Sequence, residues 1–519
     1  EWQTLDYLPK MVTDDLFGQV VAYGMERNVF VRPHFNSPGH NTILPRVYPE
    51  LSARDDDGNP IGYGFCLSNP RTYDLLFELY DSVIERYLRP NGCDWFHIGL
   101  DEVEAYAGID PRDPSRPVEP WCRCPDCRDK PRARQLQEYA VRVCSHLKEQ
   151  GITNITMWND ALSKLGAMNE DFARMLDEAG LRENVIVQWW RYNDPVLLPN
   201  PDLGVRSWST PMAGYWSNLF THSYTSNIYA MLLHGARNGA EGADAYCIYD
   251  PAYDRNYACL AEYSWNQPAT EDLYQFKSRY TQETLGARLD RHLAAEAFDK
   301  YDQAFDSMPW TGTTLSSLLY YWHSYPAARA RGEYPRDVFT DIQSSHMRLR
   351  QGLASAATHA RTARDLFARA TPNDSDPLRL LEEYRVECEK LVGVWETFAT
   401  ATDAISRYET ARATAAGTDG ASVATAAAGQ IRAADDRLVA VMADLERVKQ
   451  PYLLPQILRD MSVLHGYFER LAAAFESAAR QVTGKSPAML PSFHDLSPSQ
   501  ADLDVLVSSA PEAAAVSAD

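Results

Sequence analysis

The chain has 519 residues, more than one hydrophobic core usually serves, so two domains are expected. Hydrophobic residues make up 45% and charged residues 23%, ordinary for a globular protein. Acidic residues outnumber basic ones by 71 to 50, and the net charge of −21 argues against nucleic acid or an anionic membrane as partner.

The opening segment reads as a helix leading into "NVFVRP" (28–33), a strand candidate. "PRTYDLLFELYDSVIERYL" (70–88) has helical spacing, with Asn69 as N-cap and Pro70 at the first helical position. "DWFHIGL" (94–100) reads as a strand and "RQLQEYAVRVCSHLKEQG" (134–151) as an amphipathic helix closed by Gly151. The strand "ITNITMW" (152–158), the helix "NEDFARMLDEAG" (169–180) and the strands "NVIVQWW" (184–190) and "LGVRSWS" (203–209) follow. "NIYAMLLHGARNG" (227–239) is a helix and "DAYCIYD" (244–250) a sixth strand.

Strand and helix alternating at this spacing imply a parallel sheet. Polar and aromatic residues gather at the C-terminal strand ends, and no glycine-rich phosphate fingerprint follows any strand. Both facts favour a (β/α)8 barrel over a doubly wound sheet. Six strands are visible where a barrel needs eight. The barrel domain is expected over 1–290. From 291 the strands nearly vanish and Ala-, Arg- and Glu-rich helical patterns take over, so 291–483 reads as an all-α domain, with "AAGTDGAS" (415–422) as a connecting loop. The remainder, 484–519, reads as a disordered tail.

Twelve Trp and 29 Tyr hint weakly at a sugar site. No apolar run approaches the roughly 18 residues of a membrane span. The start, "EWQTLDYLPK", lacks an initiator Met, a basic region and an apolar region, so localisation is unreadable.

Two acids, Asp101 and Glu102, end the strand "DWFHIGL". Neighbours on a strand face opposite ways, so they share a site only where the strand stops, which is the catalytic face of a barrel. Like charges this close repel, so one of the two should resist ionisation. A glycosidase pair normally flanks the scissile bond with carboxyls roughly 5–10 Å apart. Adjacent acids suit another division of labour: Glu102 protonates the leaving oxygen and Asp101, ionised, holds a substrate group. A solvated acidic turn is the bland alternative.

"HIGLDEV" resembles the signature of the family 20 glycoside hydrolases, the β-N-acetylhexosaminidases, with Leu100 where that family has a second Gly. "RPHFNSPGH" (32–40) is similar to the family's Pro-Gly-His segment, with His34 and Asn36 where it carries acids. "CLSNPRTYDLLFEL" (66–79), "MWND" (157–160), "VQWW" (187–190) and "CLAEYSWNQP" (259–268) are similar to further family segments in the same order, over residues 12–270. The resemblance implies a retaining exo-hydrolase acting on terminal β-linked GlcNAc or GalNAc. The sugar's own acetamido oxygen is the nucleophile and an oxazolinium ion the intermediate. Asp101 would orient the acetamido nitrogen, and Glu102 would be general acid and then base. His40 would belong to the polar network behind the pair, and His97 would be a buried support. Trp158 and Trp190 would wall the sugar, Trp189 facing away from Trp190, with Asp160 beside Trp158. Tyr215 would bond the acetamido oxygen, with Tyr224 as rival and Ser217 where the family has Asp. Ile248, Tyr249 and Asp250 fall on the family's Trp-x-Glu, and Asp250 would bind a hydroxyl. The resemblance also implies two further strands and an α+β domain before residue 1, hence a truncated start. No cofactor is needed, and no metal is assigned to the sugar chemistry.

"WCRCPDC" places Cys122, Cys124 and Cys127 just after the acid pair. C-x-C-x-x-C suggests a thiolate metal site bracing this loop, with Cys66 or a histidine as candidate fourth ligand. Free thiols or a local disulfide are the alternatives. Nine Cys, an odd number, do not read as a disulfide framework. Two other function classes stand beside the hydrolase: a non-catalytic carbohydrate-binding relative, and a scaffold whose helical faces make a homo-oligomer or hold a partner.

Overall fold

The computed structural model describes residues 15–41, 43–103, 108–110, 113–118, 120–192, 203–214, 222–247, 250–265, 272–284, 290–307, 346–370, 375–413, 417–449, 453–481, 489–491 and 496. Two compact units divide the chain: Glu1–Pro211 with Ala230–Ala245, and Met212–Tyr229 with Tyr246–Asp519. This division falls before the compositional change at residue 291.

In chain order the first unit begins with α1 (Leu16–Met25), α2 (Leu44–Val47), β1 (Ser52–Arg54), β2 (Pro60–Phe65), α3 (Pro70–Val83) and β3 (Trp95–His97). Next come β4 (Gly108–Asp110), β5 (Asp113–Val118), α4 (Pro125–Arg128), α5 (Arg132–Glu149), β6 (Asn154–Trp158), α6 (Asp160–Lys164) and α7 (Glu170–Glu178). β7 (Val185–Trp190) and β8 (Arg206–Thr210) follow, then α8 (Thr225–Arg237), whose residues up to Tyr229 are counted in the second unit, and β9 (Gly242–Ala243). The local signals explain the helix ends. Asn69 accepts from the Arg71 N–H at 3.0 Å with Pro70 behind it, which starts α3. Asn169 caps α7 through the Phe172 N–H at 3.1 Å. Gly151, at φ 91°, lets the chain turn away after α5. Tyr73, Leu76 and Tyr80 of α3 and Leu136, Val143 and Leu147 of α5 bury one helical face each, against Phe96, Ile98, Ile155 and Met157.

β3, β6, β7, β8 and β9 form one parallel sheet in that order, so every neighbour in space is the next strand of this sheet along the chain. A doubly wound sheet reverses its order at a switch point; the described strands do not. The expected strand over 28–33 pairs less than its sequence suggests. It makes one parallel bridge, His34 to His97. His97 donates to the Pro33 carbonyl at 2.9 Å and Phe35 to the His97 carbonyl at 3.0 Å, and Pro33 has no N–H to add. The pairing expected over 244–250 falls instead on β9 and on a bridge between Met212 and Tyr246 in the second unit.

The sheet is strongly curled. The His34 segment lies at one edge and β9 at the other, five strand spacings away, about 24 Å if flat. Yet Arg32 and Asp244, beside those two edges, form an ion pair. Gln188 of β7 donates to the same Asp244 at 2.8 Å. Trp95 and Trp208, three strands apart, bring their rings within 5.2 Å. The fold is thus an α/β, TIM-barrel-like arrangement with a parallel sheet, followed by a helical C-terminal region.

The second unit is built from α9 (Asp254–Trp265), α10 (Leu273–Thr284), α11 (Arg291–Asp306), α12 (His346–Arg369), α13 (Ser375–Ala413), α14 (Gly417–Val448) and α15 (Leu454–Arg480). From α11 onward each described helix packs on the next. Their core includes Phe298, Phe367, Tyr384, Trp395, Phe398 and Phe468. α14 already begins inside the loop expected over 415–422. The tail expected over 484–519 lies outside the described residues, apart from 489–491 and Leu496.

Candidate active site

Beyond β3 the backbone turns sharply. Gly99, Leu100 and Glu102 all lie in the left-handed region, at φ 80°, 77° and 51°. A left-handed Leu costs about 1–2 kcal/mol. Its side chain is fully buried, and that burial is worth about 2–3 kcal/mol, which offsets the strain. The substitution of the family's second Gly is thus absorbed by the core. The 35–41 loop packs against this turn backbone to backbone. Leu100 donates to the Ser37 carbonyl at 3.1 Å, and Ser37 Oγ donates to the Ile98 carbonyl at 3.1 Å. A Cβ on Gly39 would lie 2.6 Å from the Asp101 carbonyl oxygen, so only glycine permits this approach.

That approach sets His40 on the acids. Its Nε2 lies 3.3 Å from Asp101 Oδ2 and 3.0 Å from Glu102 Oε2. Burial alone would push the imidazole pKa down. Hydrogen bonds to Asp101 and Glu102, with their charges, overcome it and lift the value to about 10. Burial likewise works to raise Asp101, but the His40 hydrogen bond and charge win and hold it below the ordinary value. The bare repulsion read from adjacency is therefore incomplete, because a shared imidazolium stands between the two carboxylates. Asp101 Oδ1 is buried and has no hydrogen-bond donor among the described residues.

Asp160 organises the next layer. One oxygen accepts from the Glu102 N–H at 2.7 Å and the other from the Trp190 indole N–H at 3.0 Å. Asn159 accepts from the Trp190 backbone N–H at 3.0 Å, and Trp158 donates to the Gly99 carbonyl at 2.9 Å. The ends of β6 and β7 are thereby tied to the acid turn. Trp190 is half-buried and Trp189 fully buried, as strand alternation requires. The rings of His34, His97 and Trp158 lie together, with His97 4.5 Å from Trp158 and 4.2 Å from His34. Burial pushes the His97 pKa well below its usual value, so this imidazole is neutral. The bracing role of Asp160 and the Arg32–Asp244–Gln188 link escaped the sequence reading. An acid directly after a Trp-ended strand was the one available signal.

Asp101, Glu102, His40, Trp158 and Trp190 thus come together in the first unit. Tyr215 lies outside the described residues. Asp250 belongs to the second unit and is fully buried. Lys449 Nζ lies 3.0 and 3.1 Å from its two oxygens, and Asp250 Oδ1 also accepts from the Ala252 N–H at 2.8 Å. Glu383 and Glu387 meet the same ammonium at 3.3 and 2.8 Å. The Asp250 carboxylate is committed to this buried ion cluster, where the sequence reading had it on a sugar hydroxyl.

Residues 6–200 match the family described as "Glycosyl hydrolase family 20, catalytic domain". A β-hexosaminidase of Akkermansia muciniphila is 25% identical over 158 residues, covering 28% of this chain and 28% of that protein. The matched stretch is thus well under half of that relative's length. Among solved structures, a GH138 enzyme targeting pectin rhamnogalacturonan II superposes with a TM-score of 0.42 at 11% identity, covering 80% of this chain and 73% of that one. That likeness is too loose to fix the fold.

Proposed function

Because the chain is a divergent member of glycosyl hydrolase family 20, we propose that it is a retaining exo-β-N-acetylhexosaminidase acting on glycans with a terminal β-linked GlcNAc or GalNAc. The observation that carries this reading is Asp101 Oδ1: a buried, ionised carboxylate oxygen with no donor among the described residues. Such an atom is costly unless a ligand donor meets it. The acetamido N–H of the sugar is a donor of the right kind. Held there, the acetamido oxygen attacks its own anomeric carbon and the oxazolinium ion forms. Asp101 stabilises the positive charge on nitrogen. Glu102, the more exposed of the pair, delivers to the leaving oxygen a proton that it shares with the His40 imidazolium 3.0 Å away, and then takes one from the water that opens the ring. His40 positions both carboxylates. Trp158 and Trp190 form the apolar walls, and Tyr215 bonds the acetamido oxygen. The curled sheet is read as part of a (β/α)8 barrel with the acids at its C-terminal face.

The test is hydrolysis of aryl β-GlcNAc and β-GalNAc by the full chain, beside Glu102→Gln and Asp101→Asn. Turnover by the wild type, lowered at least a hundredfold in each variant, is expected. A thiazoline mimic of the oxazolinium should inhibit. Hydrolysis without such inhibition would remove the substrate-assisted step. Leu100, left-handed where the family has Gly, favours a second reading: a carbohydrate-binding relative without catalysis. Binding of N-acetylhexosamine without turnover would establish it.

A further inference from the structure

The sulfurs of Cys66, Cys122, Cys124 and Cys127 all lie within 4.8 Å of one another. Cys66 Sγ is 3.7 Å from Cys124 Sγ and 3.8 Å from Cys127 Sγ. Four sulfurs placed tetrahedrally about one zinc at a Zn–S distance of about 2.3 Å are separated by about 3.8 Å. Two packed thiols also touch at about that distance, so it is the convergence of all four sulfurs, within 4.8 Å of one another, that points to a shared ion; a disulfide would bring two of them to about 2.05 Å. All four are free. We propose that Cys66, Cys122, Cys124 and Cys127 form a structural tetrathiolate zinc site that clamps the loop after the acid pair onto the β1–β2 hairpin.

The donor set decides the metal. Four soft sulfurs select zinc or iron over magnesium and calcium, and a closed set of four protein ligands leaves no open position for chemistry. Backbone donors support thiolate charge: the Arg54 N–H lies 3.4 Å and the Cys124 N–H 3.5 Å from Cys122 Sγ. Ser68 Oγ lies 3.1 Å from Cys127 Sγ. Three of the four cysteines are buried. Zinc entry displaces every thiol proton remaining on the four, leaving Zn2+ bound to four thiolates.

The placement explains the use. Cys66 follows β2 directly, and the other three lie around the start of α4, more than fifty residues later. Between them, a Cβ on Gly64 would lie 2.6 Å from the Pro120 carbonyl oxygen, so hairpin and loop already approach closely. The same hairpin carries Tyr63, whose hydroxyl accepts from the His40 N–H at 3.3 Å, and Gly64, whose N–H donates to the Asn41 carbonyl at 3.2 Å. A metal here fixes the frame that holds the His40 loop without touching substrate. The inference stands whether or not the chain hydrolyses a sugar.

Purify the full chain without added metal and measure its metal content by plasma mass spectrometry. One zinc per chain is expected, released when an organomercurial titrates four thiols. Cys66→Ser and Cys124→Ser should each lose most of it, whereas Cys144→Ser, a buried cysteine outside the cluster, should keep it. Should the cluster variants fail to fold, the wild type still decides the matter. Cobalt grown into the site should show thiolate charge-transfer bands and the intense visible bands of a tetrahedral ion. Iron in place of zinc, four freely titrating thiols without metal, or a disulfide among the four would each overturn the assignment.

Discussion

His40 should tie stability to pH, and His40→Asn tests this by keeping a polar side chain while removing the charge. The ring titrates near 6.5 when free and near 10 in the fold. A raised value means that the folded state keeps a proton the unfolded chain gives up. The stabilisation is therefore complete below pH 6.5 and is lost as pH climbs through 10. A shift of that size corresponds to about 5 kcal/mol, or about 1.4 kcal/mol per pH unit inside the window. The ring is 24% exposed, and screening trims the figure to about 3–5 kcal/mol. Asp101 behaves oppositely. Its lowered pKa gives stability that is present above the ordinary value of 3.8 and fades as pH falls through the folded one. The pair therefore has a plateau between about pH 4 and 6.5. Urea unfolding followed by tryptophan fluorescence, at intervals from pH 6 to pH 10, gives the wild-type minus variant difference, in which other titrations cancel. That difference should shrink by several kcal/mol across the range. A difference that stays constant would refute the shared imidazolium.

Leu100→Gly and Leu100→Ala both lose a buried side chain, costing about 3 kcal/mol. Only Gly relieves φ 77°, so by denaturant midpoint the Gly variant should be the more stable by about 1–2 kcal/mol; the reverse order would show that the turn is unstrained. Asp160→Ala removes the acceptor of both the Glu102 N–H and the Trp190 indole. It should cost about 2–4 kcal/mol and shift the tryptophan emission, with Asp160→Asn losing less. Lys449→Met leaves Asp250, Glu383 and Glu387 buried without their common cation. A loss of about 3–5 kcal/mol is expected, partly recovered on acidification as the carboxylates take up protons, and read by the helical signal in circular dichroism.

The helices of the first unit were readable because their ends carry their own chemistry: Asn69 with Pro70, Asn169, Gly151. The inner strands were readable because both faces are buried and the apolar runs are continuous. Pairing at the sheet edges was not. The 28–33 segment has strand composition, but the proline at its end withholds an N–H. The hairpins β1–β2 and β4–β5 escaped because their short strands hold Gly and Pro, which read as loop. Of the site, the acid pair was legible as two carboxylates ending an apolar run, and the two tryptophans as strand ends. The contact of His40 with both acids was not legible. It depends on backbone packing between segments sixty residues apart, which spacing along the chain does not encode.

The positions at which this chain departs from the family it resembles bear on that contact. Where the family carries acids, this sequence has His34 and Asn36. Burial lowers the His34 pKa, so neither position brings negative charge to the neighbourhood of His40. Extra carboxylates there would compete for the imidazolium and draw it off the pair. With neutral groups in their place, Nε2 lies within hydrogen-bonding reach of both Asp101 and Glu102. The two departures in the motif thus add no carboxylate to the pair that the His40 ring already meets.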